Sequence, residues 1–136
     1  MPKFTHCIYT LLFLIVSCNS YSQEMFNTEL IVGKWSLDFI ESVANHAGFL
    51  AKASYKKTIV FYDNTNFELN ILLKDTTITS KGRWEYKKEL LSLSFSENIN
   101  GRTVNQLFFS ELRDGKELTL TRFIGKQSFH EYYIKE

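Results

Sequence analysis

The sequence predicts an all-β protein, an eight-stranded antiparallel up-and-down β-barrel that follows a cleaved signal peptide. Three observations support this fold class. Apolar and polar residues alternate through most of the chain after residue 28, which is typical of strands with one buried face. Short turn segments separate the alternating runs, whereas parallel strands would need crossovers of a dozen or more residues. Aromatic residues make up 15% of the chain, and their wide side chains favour pleated sheets.

The first element is a short apolar run within residues 1–22, with a positive charge before it. This pattern indicates a secretory signal, because a membrane-spanning helix needs about 20 apolar residues. Two processing sites remain open. Cleavage after Ser22 would leave residues 23–136 as the mature domain, whereas the segment IVSC looks like a lipobox whose Cys18 would carry lipid. The protein is therefore expected to be secreted or periplasmic, or anchored to the outer membrane through lipid on Cys18.

The composition of the mature chain excludes several classes of function. Both cysteines, Cys7 and Cys18, lie in or beside the signal, so the mature chain has no disulfide and no thiol nucleophile. Its length suits one domain with a single core. Its 15 Lys and Arg residues balance 15 Asp and Glu residues, which argues against a nucleic-acid partner, because such proteins need a basic stripe.

The strands follow one another in chain order. The first places Trp35, Leu37 and Phe39 on one face, and the alanine-rich residues 42–54 then lack alternation, which predicts a long loop or a short helix. Eight strands in an unbroken meander favour a closed barrel, because closure removes exposed edges. A strong hairpin turn is predicted at Asp114-Gly115, since these residues tolerate positive φ. The seven strands after the first are predicted at residues 55–62, 67–74, 78–87, 90–96, 102–112, 117–124 and 127–135.

Alternation also identifies the side chains that point into the predicted barrel. Arg122 is unusual, because it shares inward parity with Leu118 and Leu120 although it is charged. A barrel of eight strands is just wide enough to be filled by side chains or to hold one small ligand, so strand number leaves both states open. The candidate ligand-binding wall is apolar or aromatic and comprises Phe67, Leu69, Ile71, Trp84, Tyr86, Leu93 and Phe95.

The segment GKW at residues 33–35 resembles the G-x-W motif of lipocalins, which are eight-stranded extracellular ligand carriers. The segments GRW at 82–84 and LTLTR at 118–122 look like parts of small lipocalin-like domains of secreted bacterial proteins. The resemblance implies a structural motif of Gly33, Trp35 and Arg122, in which the tryptophan closes one barrel end and the arginine stacks on its ring. In that family the arginine usually follows the last strand, whereas here one more strand follows Arg122.

Two functions fit these observations. The first is a non-enzymatic carrier of a small hydrophobic molecule in the barrel interior. The second is a filled barrel that acts as a protein-binding or inhibitory module at the cell envelope through Phe49 and Leu50. No catalytic residue, metal or cofactor is predicted, because no nucleophile, phosphate-binding or metal-ligand motif occurs. Membrane contact is expected only through a lipid on Cys18.

Overall fold

The computed structural model of the protein describes residues 28–44, 47–99 and 102–136. The chain forms two compact units, Met1–Leu30 and Ile31–Glu136. In the first unit, residues 28–30 are helical. The predicted signal peptide and Cys18 lie outside the described residues. Within these three ranges, none of the helical residues belongs to a segment that could span a lipid bilayer.

The described part of the second unit contains nine strands in one antiparallel sheet. Eight of them close into a barrel, because β1 pairs with β3 on one side and with β9 on the other. The predicted eight-stranded antiparallel barrel is therefore confirmed. The strands are β1 (Gly33–Ala44), β2 (Ala47–Lys52), β3 (Lys56–Phe61), β4 (Asn66–Leu73), β5 (Thr76–Lys87), β6 (Leu90–Ile99), β7 (Arg102–Arg113), β8 (Glu117–Ile124) and β9 (Gln127–Lys135).

The ninth strand, β2, corrects the prediction for residues 42–54. These residues form neither a loop nor a short helix: β1 continues to Ala44, and β2 pairs with it from Ala47 to Lys52. Pairing with β1 satisfies backbone groups of β2, so the strand does not depend on a buried face. Most of its side chains are exposed, and alternation therefore does not mark this strand in the sequence.

A β-bulge in β1 corrects the predicted face of Phe39. Opposite β9, Leu37 pairs with Tyr133 and Phe39 with Tyr132, so Asp38 is one extra residue in β1. An extra residue shifts the side-chain alternation by one position. Leu37 therefore stays on the inner face, whereas Phe39 lies on the outer wall beside Tyr132.

The two ends of the barrel differ in packing. We call the end with the β3–β4, β5–β6 and β7–β8 turns the closed end, and the opposite end, with the β4–β5 and β8–β9 turns, the mouth. Along β4, Phe67 at the closed end is 1% exposed, Leu69 and Ile71 are partly buried, and Leu73 at the mouth is 45% exposed. The inward-facing side chains thus form a packed core at the closed end and become accessible toward the mouth.

Candidate functional site

Trp35 forms the centre of the closed end. Its side chain is fully buried, and its indole Nε1–H donates a hydrogen bond to the carbonyl oxygen of Ile31 at 2.7 Å. The ammonium of Lys135 lies 5.2 Å from the centroid of the Trp35 ring. Gly33 has a φ of +133°, and a Cβ there would lie 2.7 Å from Cε of Lys135. Glycine at this position therefore leaves room for the lysine to cover the tryptophan.

The predicted stacking of Arg122 on Trp35 is wrong. The Arg122 guanidinium instead lies 5.7 Å from the ring centroid of Phe129, its cross-strand partner. Phe129 pairs with Ser42 of β1, whereas Lys135 pairs with Trp35. Ser42 and Trp35 are separated by about 20 Å along the strand, at a rise of roughly 3.3 Å per residue. Arg122 thus belongs to the mouth, and the last strand supplies Lys135 to the tryptophan.

Three polar side chains meet inside the barrel, and we call them the interior polar cluster: Lys57, Glu131 and Tyr133. The ammonium of Lys57 on β3 lies 2.9 and 2.8 Å from the two carboxylate oxygens of Glu131 on β9. The Tyr133 hydroxyl donates to the same carboxylate at 2.7 Å. The side chains of the ion pair are only 13% and 11% exposed. A short ionic network therefore crosses the interior above the packed core.

Two further residues influence the interior polar cluster electrostatically. Burial and the nearby Glu131 carboxylate raise the pKa of Tyr133 well above its usual range. The pKa of Tyr55 is also raised, first by burial and then by Glu131, while the charge of Arg122 opposes both shifts. Tyr55 precedes Lys57 by two residues, and the cross-strand partner of Arg122 precedes Glu131 by two. The Lys57–Glu131 ion pair thus lies between the core and the mouth, and the Arg122 cation lies on its mouth side.

The seven predicted ligand-binding residues fall at different depths. Phe67, Trp84 and Leu93 belong to the buried core, where the Trp84 indole N–H donates to the carbonyl oxygen of Tyr62 at 3.0 Å. Leu69, Tyr86 and Phe95 are partly buried and pack against that core. Ile71 lies nearer the mouth as the cross-strand partner of Lys57. Leu69 and Ile71 are therefore the predicted residues nearest to the interior polar cluster along β4.

Lys57 and Glu131 were not predicted as site residues, although the alternation that identified Arg122 also marks them. Lys57 shares inward parity with Ile59 and Phe61, which are 1% exposed, and Glu131 shares it with Tyr133. The sequence feature that marks both residues is a charged side chain at an inward position of an otherwise apolar strand face. In the described ranges, no group of three or more His, Cys, Asp and Glu side chains is arranged to hold a metal ion.

Comparison with known proteins places this barrel among lipocalin-like folds. No protein-family model matches the sequence, and no curated protein matches it. A lipocalin-like protein from Bacteroides uniformis superposes with a TM-score of 0.57 at 18% identity, over 79% of this chain and 99% of that one. An uncharacterized protein from Bacteroides eggerthii gives a TM-score of 0.52 at 18% identity, over 77% and 98% of the two chains. The chain therefore has a lipocalin-like fold, as its G-x-W segment predicted.

Proposed function

We propose that this protein is a non-enzymatic carrier that binds one small, largely apolar molecule in the mouth half of the barrel. The observation that carries the proposal is the rise in accessibility of inward-facing side chains from Phe67 to Leu73 along β4. Partly buried apolar residues such as Ile71 and Phe129 line this half of the interior. Their burial against a ligand would supply the hydrophobic driving force for binding.

The interior polar cluster supports a ligand with one polar end. Replacing a buried ion pair with apolar residues of similar volume is often neutral or stabilising, so packing alone does not account for Lys57 and Glu131. Arg122 adds a second cation, and in the described part of the chain no carboxylate lies within ion-pair distance of it. We expect an anionic or hydrogen-bonding end of the ligand to lie near these groups, with the apolar body toward the mouth.

Two tryptophan substitutions on neighbouring residues of β4 test where the ligand binds. Ile71→Trp fills the interior, whereas Leu72→Trp places the same indole on the outer wall. We expect cis-parinaric acid, a fluorescent fatty acid, to bind the wild-type protein and Leu72→Trp, and to lose at least about tenfold in affinity with Ile71→Trp. Equal binding by both variants would refute an interior site, and thermal unfolding would confirm that both are folded.

A charge-free variant of the interior polar cluster tests the polar end of the ligand. The substitutions Lys57→Met, Glu131→Leu and Tyr133→Phe together keep similar side-chain volumes, remove both charges and leave no tyrosine hydroxyl buried without its carboxylate partner. We expect this variant to fold and to weaken cis-parinaric acid binding more than binding of the corresponding neutral alcohol. Equal losses for acid and alcohol would show that the cluster has no part in head-group recognition.

A second candidate function is protein binding through β2. Phe49 and Leu50 are 72% and 58% exposed, and β2 pairs only with β1 among the described strands. Large apolar side chains on an exposed strand are suited to a protein partner. Substituting Phe49 and Leu50 with Ser should abolish capture of an envelope partner while the unfolding midpoint stays unchanged. Unchanged capture by that variant would rule out β2 as the contact surface.

We further propose that the barrel is exported. The apolar run within residues 1–22 supports this proposal, because it has the composition of a secretory signal. The intact mass of the purified native protein separates the two processing routes. Cleavage after Ser22 would give a mature chain that begins at Gln23, whereas lipidation would give one that begins at an acylated Cys18. A full-length chain that keeps residues 1–22 would contradict export by either route.

A further inference from the structure

The outer wall of the barrel carries a concave surface that the proposed interior site does not use. A cavity of about 380 Å³ lies over β1, β2, β7, β8 and β9, and Phe39, Leu50 and Tyr132 are among the residues that line it. A second cavity of about 550 Å³ adjoins it over β7, β8 and β9, and it is lined by Phe109 and Phe123 among others. The two cavities share Glu111, Arg113, Thr119 and Tyr132, so they form one continuous groove, which we call the outer groove.

The strand register explains why these side chains meet. Glu111, Thr119, Tyr132 and Phe39 are successive cross-strand partners on β7, β8, β9 and β1. The bulge at Asp38 brings Phe39 into this row, because it shifts the alternation of β1 outward. The outer groove is thus a product of the bulge as well as of the sheet.

The walls of the outer groove are aromatic. Phe109 and Phe123 meet edge to face with ring centroids 5.8 Å apart. His130 and Tyr132 stack with centroids 6.5 Å apart. The His130 ring is held by hydroxyls on both sides, since Thr121 Oγ1 lies 2.8 Å from Nδ1 and Ser128 Oγ lies 3.0 Å from Nε2. Phe39, Phe109 and Phe123 are 37%, 55% and 63% exposed, so their faces are accessible to a ligand.

The charge of the outer groove is negative. The Tyr132 hydroxyl donates to the Glu41 carboxylate at 2.6 Å, and this bond raises the pKa of Tyr132 to about 12. On the outer face of the described chain, five carboxylates and two cations either line the groove or contact a side chain that lines it. They are Asp38, Glu41, Glu89, Glu111 and Glu117, with Arg113 and Lys52.

Both cations are already paired. Arg113 lies 3.3 Å from Glu111 and 3.6 Å from Glu117, and Lys52 lies 3.9 Å from Asp38. The remaining negative charge favours a cationic guest, and aromatic faces favour an organic cation over a hydrated metal ion, because they attract cations that are poorly solvated. An acidic groove with an aromatic wall is thus complementary to an alkylammonium group on an apolar body.

We propose that the outer groove is a second binding site, independent of the barrel interior, for an organic cation of the alkylammonium class. The aromatic rings of Phe39 and Tyr132 contact the ammonium, and the Glu41 carboxylate, which has no cationic partner among the described ion pairs, supplies the opposite charge. Phe109 and Phe123 contact the apolar body. Because the site lies outside the barrel, its occupancy does not depend on the interior ligand.

Titration of the purified protein with phenyltrimethylammonium, followed by amide chemical shifts in NMR spectra, tests this proposal. Benzenesulfonate is the control ligand, since it carries the same ring with a negative charge. We expect saturable shifts at Phe39, Thr119 and Tyr132 with the cation only, and weaker binding at high salt. Equal binding of benzenesulfonate would overturn the proposal.

Matched variants separate the outer groove from other surfaces. Glu41→Gln removes the charge but keeps an oxygen that accepts the Tyr132 hydrogen bond, and Glu85→Gln removes a charge on exposed β5 outside the groove. We expect Glu41→Gln and Phe39→Leu each to weaken the cation by about threefold or more, and Glu85→Gln to leave it unchanged. Equal affinities for Glu41→Gln, Phe39→Leu and the wild type would overturn the proposal.

The interior variant Ile71→Trp distinguishes binding in the outer groove from binding in the barrel interior. Ile71→Trp should leave phenyltrimethylammonium binding intact, since its indole fills the barrel interior and not the outer wall. Loss of cation binding in Ile71→Trp, with shifts at interior residues such as Leu69, would assign the cation to the interior and refute a separate outer site. The cis-parinaric acid titration measures binding in the interior separately, so a negative result for one proposed site does not decide the result for the other.

Discussion

The closed end and the mouth of this barrel are built from the same strands, yet they have opposite properties. At the closed end, Trp35, Phe67 and Leu118 are at most 1% exposed, and a lysine covers the tryptophan ring. At the mouth, the same inward-facing rows end in Leu73 and Ile124, which are 45% and 57% exposed. Alternation therefore determines which way a side chain points, whereas the depth of the side chain in the barrel determines whether it is core or accessible wall.

An alanine series along β4 tests whether the gradient of burial from the closed end to the mouth is also a gradient in contribution to the free energy of unfolding. Phe67→Ala should lower the free energy of unfolding by about 4 kcal/mol, and Leu69→Ala by about 2 to 3 kcal/mol. Ile71→Ala should cost about 1 to 2 kcal/mol, and Leu73→Ala about 0.5 kcal/mol or less. Urea unfolding measures the series. Similar losses at Phe67 and Leu73 would show that the mouth is packed as tightly as the closed end.

Gly82 tests how closely the strands approach in the packed half. A Cβ at this position would overlap the carbonyl oxygen of Ser94 and lie 2.9 Å from the Cα of Phe95. Because these are backbone atoms, they cannot turn aside, and Gly82→Ala should destabilise the barrel by about 3 kcal/mol. Ser80→Ala, two residues nearer the mouth on the same face, should change stability by about 0.5 kcal/mol or less. A stability loss in Ser80→Ala as large as that in Gly82→Ala would contradict this account.

The smallest effect concerns two turns at the closed end. Asp114-Gly115 has positive φ at both residues, as predicted, and so does the β5–β6 turn at Lys88 and Glu89, at φ values of 50° and 66°. Positive φ strains residues other than glycine, asparagine and aspartate. Changing Lys88 to Asn together with Glu89 to Gly should therefore raise the free energy of unfolding by about 1 kcal/mol.

A substitution that removes glycine from the β7–β8 turn is the control for the β5–β6 turn prediction. Gly115→Ala should lower stability by about 1 kcal/mol, because the φ of Gly115 is 63°. Thermal unfolding of both variants measures the pair. A neutral result for the β5–β6 double variant would imply that the two hydrogen bonds from Ser110 to the Glu89 carbonyl oxygen, at 2.7 and 3.0 Å, already hold this turn without strain.

Much of the fold could be predicted because strand alternation and turn chemistry are local. The sequence predicted eight barrel strands and the inward position of Arg122, and the structure confirms both. It did not predict β2, since a strand exposed on both faces leaves no alternation in the sequence. Nor did it predict the outward turn of Phe39, because a bulge at Asp38 depends on the pairing with β9.

The candidate sites were predictable only in part. Lys57 and Glu131 were not predicted, although their inward parity is visible in the sequence; parity alone does not show that they meet across the barrel 2.8 Å apart. The outer groove left no local pattern at all, since Glu111, Thr119, Tyr132 and Phe39 come from four strands.

Side-chain period and turn residues are local features, so the sequence alone is enough to predict the class of fold, the strand order and the faces of most strands. The folded chain is needed to show that Lys135 and not Arg122 covers Trp35, that the interior opens at one end, and that an acidic aromatic groove forms on the outer wall. Each of these depends on the register and curvature of the closed sheet, which arise from pairings between residues far apart in the chain.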